Sequence, residues 1–580
     1  MEEKDLEMFR HGMAHVLAKA VDGMFSNVKN TIGPAIDDGF YYDFDLDETI
    51  TPEDFAKIEK EMKRIVAIDE KFERKEVDKA TALEIFKNNP YKVEIINELP
   101  EDAVISIYTL GDDWCDLCRG PHVESSKRLS NMSFKINRVS GAYWRGNEKN
   151  KMLQRVYVYC FENDEALNKH IELVEEAKRR DHRRLGKELG IFMFSDLVGK
   201  GLPMWLPNGF TIRRALSDYI MDKELSLGYK HVMTPSLASV DLYKTSGHWE
   251  HYKDDMFPMM ERDEEAYVLR PMNCPHHMMI YKNMMHSYKD LPLRMAEIAN
   301  DFRFEGSGTL CGIERARCFT QNDSHIFCRP DQIKDEVNGV IKLILDVYKD
   351  FGFDSYEFRL SLRDKNNTEK YFGNDDLWEK SENALRQILK DSGAKFYEAE
   401  GEAAFYGPKI DVQVKSVLGH EVTLSTVQLD YQLPERFDLE YTDENNQKQR
   451  PVVIHRAILG SLDRFVAFLV EETAGNFPLW LSPVQVCIMN INDACLPYAQ
   501  SIVQKLKDKG FRVSLDDRNE KIGKKIREAQ LQKIPYMLVV GEREMASNCA
   551  SVRHRGEGDI GSMPIDDFIT LLDKERKERK

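Results

Sequence analysis

The plainest pattern in the chain is an alternation of period two within the stretch Leu293 to Cys328. Successive strand side chains point to opposite faces, so residues two apart share one. On that count one face carries Arg315, Arg317, Phe319, Gln321, Asp323 and His325, while Ala316, Cys318, Thr320, Asn322 and Ser324 fill the other. Glu305, Gly306, Ser307 and Gly308 are turn chemistry before this run, which predicts a long antiparallel hairpin. Arg303 and Glu305 share a face on the outgoing side. A row of guanidiniums, a ring, an amide, a carboxylate and an imidazole does not build an apolar core. It reads as a binding floor: arginine for phosphate, Phe319 for a planar base, Asp323 and His325 for a small polar ligand. The competing reading is a polar sheet face meeting solvent.

The remaining pattern divides the chain. Residues 1–163 open with an amphipathic helix and continue through two helical segments and several β-rich runs. Residues 164–188 read as one helix ending in a dense charge run, either a solvated linker or a helix lying along an RNA. Residues 189–477 hold the hairpin. Within them, a helix from Thr211 to Gly228 leads into an extended run ending near Pro235. Residues 404–411 and 426–430 read as strands with polar inward positions, and a helix is predicted from His455 onward with Gly460 near its middle. A helix-interior glycine costs about 1 kcal/mol against alanine, so Gly460 marks a close approach of backbone or ligand. Pro478 and Pro483 bracket a boundary. Residues 484–580 then alternate strand, helix, strand, helix, strand, which predicts a mostly parallel sheet. That segment has no glycine-rich phosphate loop.

Composition narrows the class. A chain of 580 residues with 42% hydrophobic and 31% charged residues can form several globular domains. No apolar run approaches the roughly 18 residues of a membrane helix, and the acidic N-terminus lacks an apolar signal core. Ten cysteines in this length do not make a disulfide framework, so a reducing cytoplasm is expected. The net charge of −17 weighs against a nucleic-acid partner, but residues 481–580 hold 18 Lys and Arg against 15 Asp and Glu, leaving −20 elsewhere. A local basic surface can still bind phosphates.

Two pairs carry candidate chemistry near the N-terminus. His11 and His15 are one helical turn apart, and Cys118 and His122 repeat the spacing of four. Such a set binds zinc or arranges acid–base chemistry in a pocket.

The hairpin resembles motif 2 of the class II aminoacyl-tRNA synthetases, with Arg303 and Glu305 before a loop and an aromatic strand after it. The helix and Pro235 resemble motif 1, which implies a homodimer. The region ending in Arg464 resembles motif 3, a strand and helix whose arginine reaches the terminal phosphate. The stretches Lys244 to Trp249 and Arg270 to His277 are similar to the threonyl branch. There His11, His15, Lys92, Asp116, Cys118 and His122 match an editing domain shared with alanyl proteins, supported by Gly39 to Asp43 and Ser140 to Arg145. The threonyl branch uses this pocket without metal and the alanyl branch holds zinc in it. Residues 478–580 resemble an anticodon-binding domain, with Asn519, Glu544 and Arg553 at base-reading positions. The implied fold is multidomain α+β: an editing domain at 1–163, a linker helix at 164–188, an antiparallel-sheet catalytic core at 189–477 and an α/β anticodon-binding domain at 478–580.

The resemblance implies a threonine–tRNA ligase using ATP with Mg2+. It places Arg303 on the α-phosphate, Arg315 and Arg464 on the outer phosphates, and Phe319 under adenine. Glu305 and Gln428 contact the nucleoside, and Lys409 and Gln321 the carboxyl and α-phosphate region. It implies one zinc held by Cys274, His325 and His455, with threonine's hydroxyl on Asp323 and its amine near Tyr406. His248 is matched by a residue assisting transfer to tRNA. Valine lacks the hydroxyl such a site reads. Serine lacks only a methyl, worth ~1–3 kcal/mol of discrimination, so a second site must hydrolyse seryl-tRNA. The chain departs from the pattern with Cys311 in the motif 2 loop, where histidine is frequent, and with Asp463 where glutamate is commoner. It begins directly at the editing-like stretch, without the small ubiquitin-like module many relatives carry. Rival readings are a non-catalytic tRNA-binding or regulatory relative and a ligase for proline or serine. Intact Arg303, Arg464 and the Cys274, His325, His455 trio weigh against the first, Cys274 and the editing-like stretch against the second.

Overall fold

The computed structural model describes every residue except 1–2, 101–102, 369, 372–374, 418, 420 and 580. The chain forms two compact units, Met1–Glu175 and Glu176–Lys580.

The first unit is α+β. Its opening helix, Glu3–Met24, buries Met13, Leu17, Ala20 and Val21 at helical spacing. They meet Phe40, Tyr42 and Phe44 of the strand Gly39–Asp45 in one apolar core. That strand pairs antiparallel with Met152–Phe161, which pairs with Ser133–Tyr143. A separate antiparallel sheet holds Phe72–Val77, Ile105–Leu110 and Cys115–Leu117.

The second unit is built on an eight-stranded sheet. Its centre runs, in order, Leu293–Phe302, Cys318–Cys328, Val452–Ser461, Glu421–Asp430 and Lys409–Lys415, all antiparallel. Period two decides its faces. Ile326, Ile410, Val412, Val427, Leu429, Ile454 and Ile458 pack into one core with Ile212 and Leu216 of the helix Pro207–Ser226, Val337 and Ile344 of Ile333–Phe351, and Phe465 of Leu462–Thr473. Each buried aliphatic side chain contributes about 1.5–3 kcal/mol. The intervening residues, Asp323, Lys409, Gln428, His455 and Ala457 among them, line a cavity instead.

Several expected elements are different. The helix predicted from His455 is a strand to Ser461, and helix begins only at Leu462, where the Ser461 side chain accepts from the Arg464 amide. Gly460 is therefore a strand residue with φ of +59°, and a Cβ there would lie 2.6 Å from the Leu424 carbonyl oxygen. The close approach is backbone on backbone. Residues 404–408 are a loop, and the strand expected from 404 starts at Lys409. The single helix expected over 164–188 is two, Asp164–Arg180 and His182–Glu188, broken at Asp181, whose carboxylate caps the second through the Arg183 amide. The C-terminal sheet has three parallel strands, Val513–Asp516, Val486–Asn490 and Tyr536–Val540, followed by the antiparallel Cys549–His554 and Gly558–Pro564.

Candidate active site

The sheet's open face carries a cavity of about 340 Å³. The hairpin brings Arg303, Glu305, Arg315, Phe319, Gln321 and Asp323 to its wall, the inner strands bring Lys409, Gln428 and His455, and Cys274, Tyr406 and Arg464 complete it. The return strand begins at Cys318, so Arg315 and Arg317 lie in the loop rather than on the ladder. Alternation lapses there because a separate backbone bridge, Cys311 to Arg315, shapes the loop. Arg317 turns away, bonding the Glu305 carbonyl at 2.9 Å and stacking 4.2 Å from the Phe304 ring centroid.

Three guanidiniums are concentrated here. Arg303 stacks on Phe319, Arg315 donates to the Glu305 carboxylate at 2.9 Å, and Arg464 donates to the Glu314 carbonyl at 3.4 Å. Burial lowers the Arg464 pKa from its ordinary value, so an anion beside it is favoured. Lys409 pairs with Asp411 at 2.8 Å, and the Gln428 amide donates to the Gly407 carbonyl. Burial pushes the Asp323 carboxyl up. His248 is not among the residues lining the cavity. It is buried near Phe405 and Tyr406, its Nδ1 2.8 Å from Ser246 Oγ, and burial pushes its pKa down to about 3. Cys311 sits in the hairpin loop with Sγ 3.7 Å from Glu314. Asp463 is buried and accepts from the Thr320 amide at 2.7 Å, tying its helix to the return strand.

His455 lines the cavity, and His325, which does not, is its direct cross-strand partner. Cys274 reaches them from the start of the helix Cys274–Lys282. The three donor atoms lie within 4.8 Å of one another, and all three residues are buried. Asp430 Oδ2 is 2.8 Å from His455 Nε2, leaving Nδ1 as the other ring nitrogen. His325 Nε2 is buried with no hydrogen-bond partner, 3.9 Å from the Asp323 carboxylate. One thiol, two imidazoles and an orphaned ring nitrogen fit zinc, and three protein donors leave coordination room for a ligand.

The first unit gathers a second cluster. Cys118 Sγ lies 3.3 Å from His11 Nε2 and 3.2 Å from His122 Nε2. Lys92 pairs with Asp116 at 2.6 Å, and His15 Nδ1 is 4.0 Å from the same carboxylate. Burial lowers all three histidine pKa values, His122 to about 2, and raises Cys118 to about 11. The three imidazoles and the thiol are therefore neutral near pH 7. His11, His15, Lys92, Asp116 and Cys118 border a cavity of about 380 Å³, while His122 stacks on Phe72 with ring centroids 5.1 Å apart.

The three C-terminal positions do not form one cluster. Asn519 is exposed just beyond the C-terminal end of Val513–Asp516, and Glu544 follows the end of Tyr536–Val540, its carboxylate accepting from the Gly541 amide. Arg553 is opposite Met537, toward the other end of that strand, and pairs with Asp559 at 3.0 Å.

Sequence reasoning left out several neighbours of these sites: His277 and Glu297 behind His325, Asp430 behind His455, and Tyr42, which bonds Asp116. His277 had a signal, since i, i+3 spacing from Cys274 puts both on one helix face. Glu297 and Asp430 had none, because only strand pairing brings them near.

Three family models match the chain: the tRNA synthetase class II core domain (G, H, P, S and T) over residues 254–473, the anticodon binding domain over 485–575, and the threonyl and alanyl tRNA synthetase second additional domain over 105–157. With the antiparallel sheet and its arginine-lined cavity, they define a class II aminoacyl-tRNA synthetase. A threonine–tRNA ligase of Geobacillus is 55% identical over 573 residues, 98% of this chain and 88% of that protein. One of Staphylococcus aureus is 54% identical over 580 residues, the whole chain and 90% of that protein. The structure of the RNA binding domain of threonyl-tRNA synthetase from Cryptosporidium parvum aligns with a TM-score of 0.65 at 38% identity, covering 68% of this chain and 98% of that one. The chain belongs to the threonine–tRNA ligase family.

Proposed function

We propose that the chain joins threonine to the 3′ end of its tRNA in two steps, forming threonyl-adenylate from ATP and then transferring the threonyl group. One observation carries this reading: Cys274 and His455 of the buried trio line the same cavity as Arg303, Arg315, Arg464 and Phe319, and His325 stands cross-strand from His455. A threonine carboxylate oxygen attacks the α-phosphorus of ATP, and pyrophosphate leaves with the magnesium that accompanies the triphosphate. Arg303 holds the α-phosphate, Arg315 and Arg464 the outer phosphates, and Phe319 the adenine face, so catalysis is positioning and charge neutralisation. Glu305 and Gln428 contact the nucleoside, and Gln321 and Lys409 steady the carboxylate. Asp323 accepts from the threonine hydroxyl, and Tyr406 lies against the amine. Cys274, His325 and His455 would hold a zinc ion, which would supply Lewis-acid coordination to polar groups of the amino acid. His248, with Ser246 on Nδ1 and Nε2 unpartnered, assists the transfer step.

The cluster at His11, His15, Lys92, Asp116, Cys118 and His122 hydrolyses seryl-tRNA, and Asn519, Glu544 and Arg553 contact the anticodon. The domains run 1–163, 164–188, 189–477 and 478–580. A homodimer through the motif 1 segment is supported by the exposed apolar residues Phe210, Leu225, Leu227 and Met233. All ten cysteines are free thiols, as suits a reducing cytoplasm, and among the described residues no helix is long and apolar enough to cross a membrane. The test is ATP–pyrophosphate exchange with threonine, serine and valine, alongside metal analysis. Threonine-dependent exchange, weaker with serine and negligible with valine, is expected; exchange indifferent to threonine overturns the reading.

A further inference from the structure

His325 keeps its buried Nε2 free of any hydrogen bond, 3.9 Å from the Asp323 carboxylate, because of what holds its other nitrogen. His325 Nδ1 lies 2.8 Å from His277 Nδ1, and His277 Nε2 lies 3.1 Å from Glu297 Oε2. His277, Glu297 and His325 are all buried, His277 and His325 completely. Glu297 accepts from every neighbour within reach: the Thr234 amide at 2.9 Å, the Thr234 hydroxyl, the Asn273 amide and Arg270, each of the last two at 3.3 Å.

Hydrogen-bond direction then propagates. A carboxylate among donors only accepts, so His277 Nε2 carries the proton. With one proton on its ring, His277 offers Nδ1 as a bare acceptor, His325 Nδ1 must donate to it, and His325 Nε2 is left with its lone pair, buried and unpartnered. For His455 one step suffices: Nε2 donates to Asp430 at 2.8 Å, which leaves the lone pair on Nδ1. The spacing is economical: Cys274 and His277 share a face of one helix, so that helix supplies a donor and the relay behind another donor.

We propose that His277 is a positioning residue for the metal centre, relaying the Glu297 carboxylate to His325 and fixing the His325 tautomer that can ligate zinc. This rests on the zinc reading above. Partners behind a ligating histidine are worth roughly 10–100-fold in metal affinity.

The experiment measures zinc affinity of the full-length protein by competition with a colorimetric chelator, and records the visible spectrum of the cobalt-substituted form. H277F keeps an aromatic ring and removes the acceptor; its affinity should fall about 10–100-fold, with altered cobalt bands. H277Q, whose amide can accept from His325 and donate to Glu297, should recover part of that loss. E297Q gives a second approach where H277F does not fold, since an amide can donate to His277 and reverse the relay; it should also weaken zinc. Unchanged affinity and cobalt spectra in folded H277F, or in E297Q if H277F is lost, overturn the relay. C274S separates the two readings. If C274S loses zinc while the relay variants keep it, the relay fails alone; if C274S keeps zinc, the metal reading fails as well.

Discussion

The Arg303 guanidinium carbon lies 5.2 Å from the centroid of the Phe319 ring. The two residues come from opposite sides of the hairpin: Phe319 is cross-strand from Asp301, and Arg303 follows two residues later on the same face. A guanidinium and a planar ring are thereby presented side by side.

That adjacency makes Arg303→Ala informative. In the proposed reaction its loss would remove a charge-assisted contact that strengthens as charge develops in the transition state. Threonine-dependent ATP–pyrophosphate exchange should fall by about 10²–10³-fold, with little change in thermal midpoint because within the fold the side chain makes the contact with Phe319 and one long bond to the Pro271 carbonyl at 3.4 Å. Near-normal exchange would remove the hairpin from the catalytic account.

Cys274→Ser tests the metal. Serine retains the size but offers zinc a poor hydroxyl in place of thiolate. Metal analysis should show the zinc largely lost, and threonine activation should fall with it. A variant that keeps a full zinc complement and still rejects valine would contradict the assignment.

Beneath the floor of the site, Arg456 and Glu224 form a fully buried ion pair at 2.7 Å. Glu224 also accepts from the Asn322 amide, and its second oxygen faces His231 at 2.9 Å. Removing one partner of such a pair leaves an uncompensated buried charge, costing about 3–5 kcal/mol. Glu224→Ala should lower the denaturant midpoint of the second unit accordingly, and Glu224→Gln by less. An unchanged midpoint would mean the cavity floor does not depend on this pair.

These cases show where sequence was informative. The alternation through Phe319, Gln321 and Asp323 was readable because a strand between an apolar core and a polar cavity must sort residues by parity. It failed at Arg315 and Arg317, since parity has meaning only while a ladder holds. The strand over 455–461 was misread as helix because a doubly buried strand offers a near-continuous apolar run without alternation. His11 with His15 was visible as a helical pair. Their meeting with Cys118 was not, because it depends on tertiary packing across 107 residues.

The first unit should be acid-sensitive. Burial, then neighbouring positive groups, holds the His15 pKa well below its ordinary value and His122 at about 2. Below pH about 6.5 the unfolded rings take protons that the folded rings do not. The unfolded state then binds more protons, so stability falls as pH drops from about 6.5, by at most ~1.4 kcal/mol per pH unit for each ring. Hydrogen-exchange protection of the Glu3–Met24 helix in the full-length protein, corrected for the intrinsic exchange rate at each pH, should fall over that range. His122→Phe should flatten the dependence; the same slope in both proteins would assign it elsewhere.

The final prediction separates the two candidate sites. The His11 cluster belongs to the first unit and the Cys274 cluster to the second. Hydrolysis of a seryl ester needs a group to take a proton from water and one to give a proton to the departing ribose oxygen. With all three imidazoles held neutral by burial, His11 and His15 can accept, and Lys92, paired with Asp116, can orient the substrate or donate. The double change His11→Ala/His15→Ala should leave threonine charging nearly intact while seryl-tRNA accumulates. The unaltered protein should hydrolyse preformed seryl-tRNA and spare the threonyl form, whose extra methyl must fit beside Tyr42 and Gly33 in the cavity wall. Clearance of seryl-tRNA at the unaltered rate by the double variant would make these histidines structural and return the cluster to an unassigned fold element.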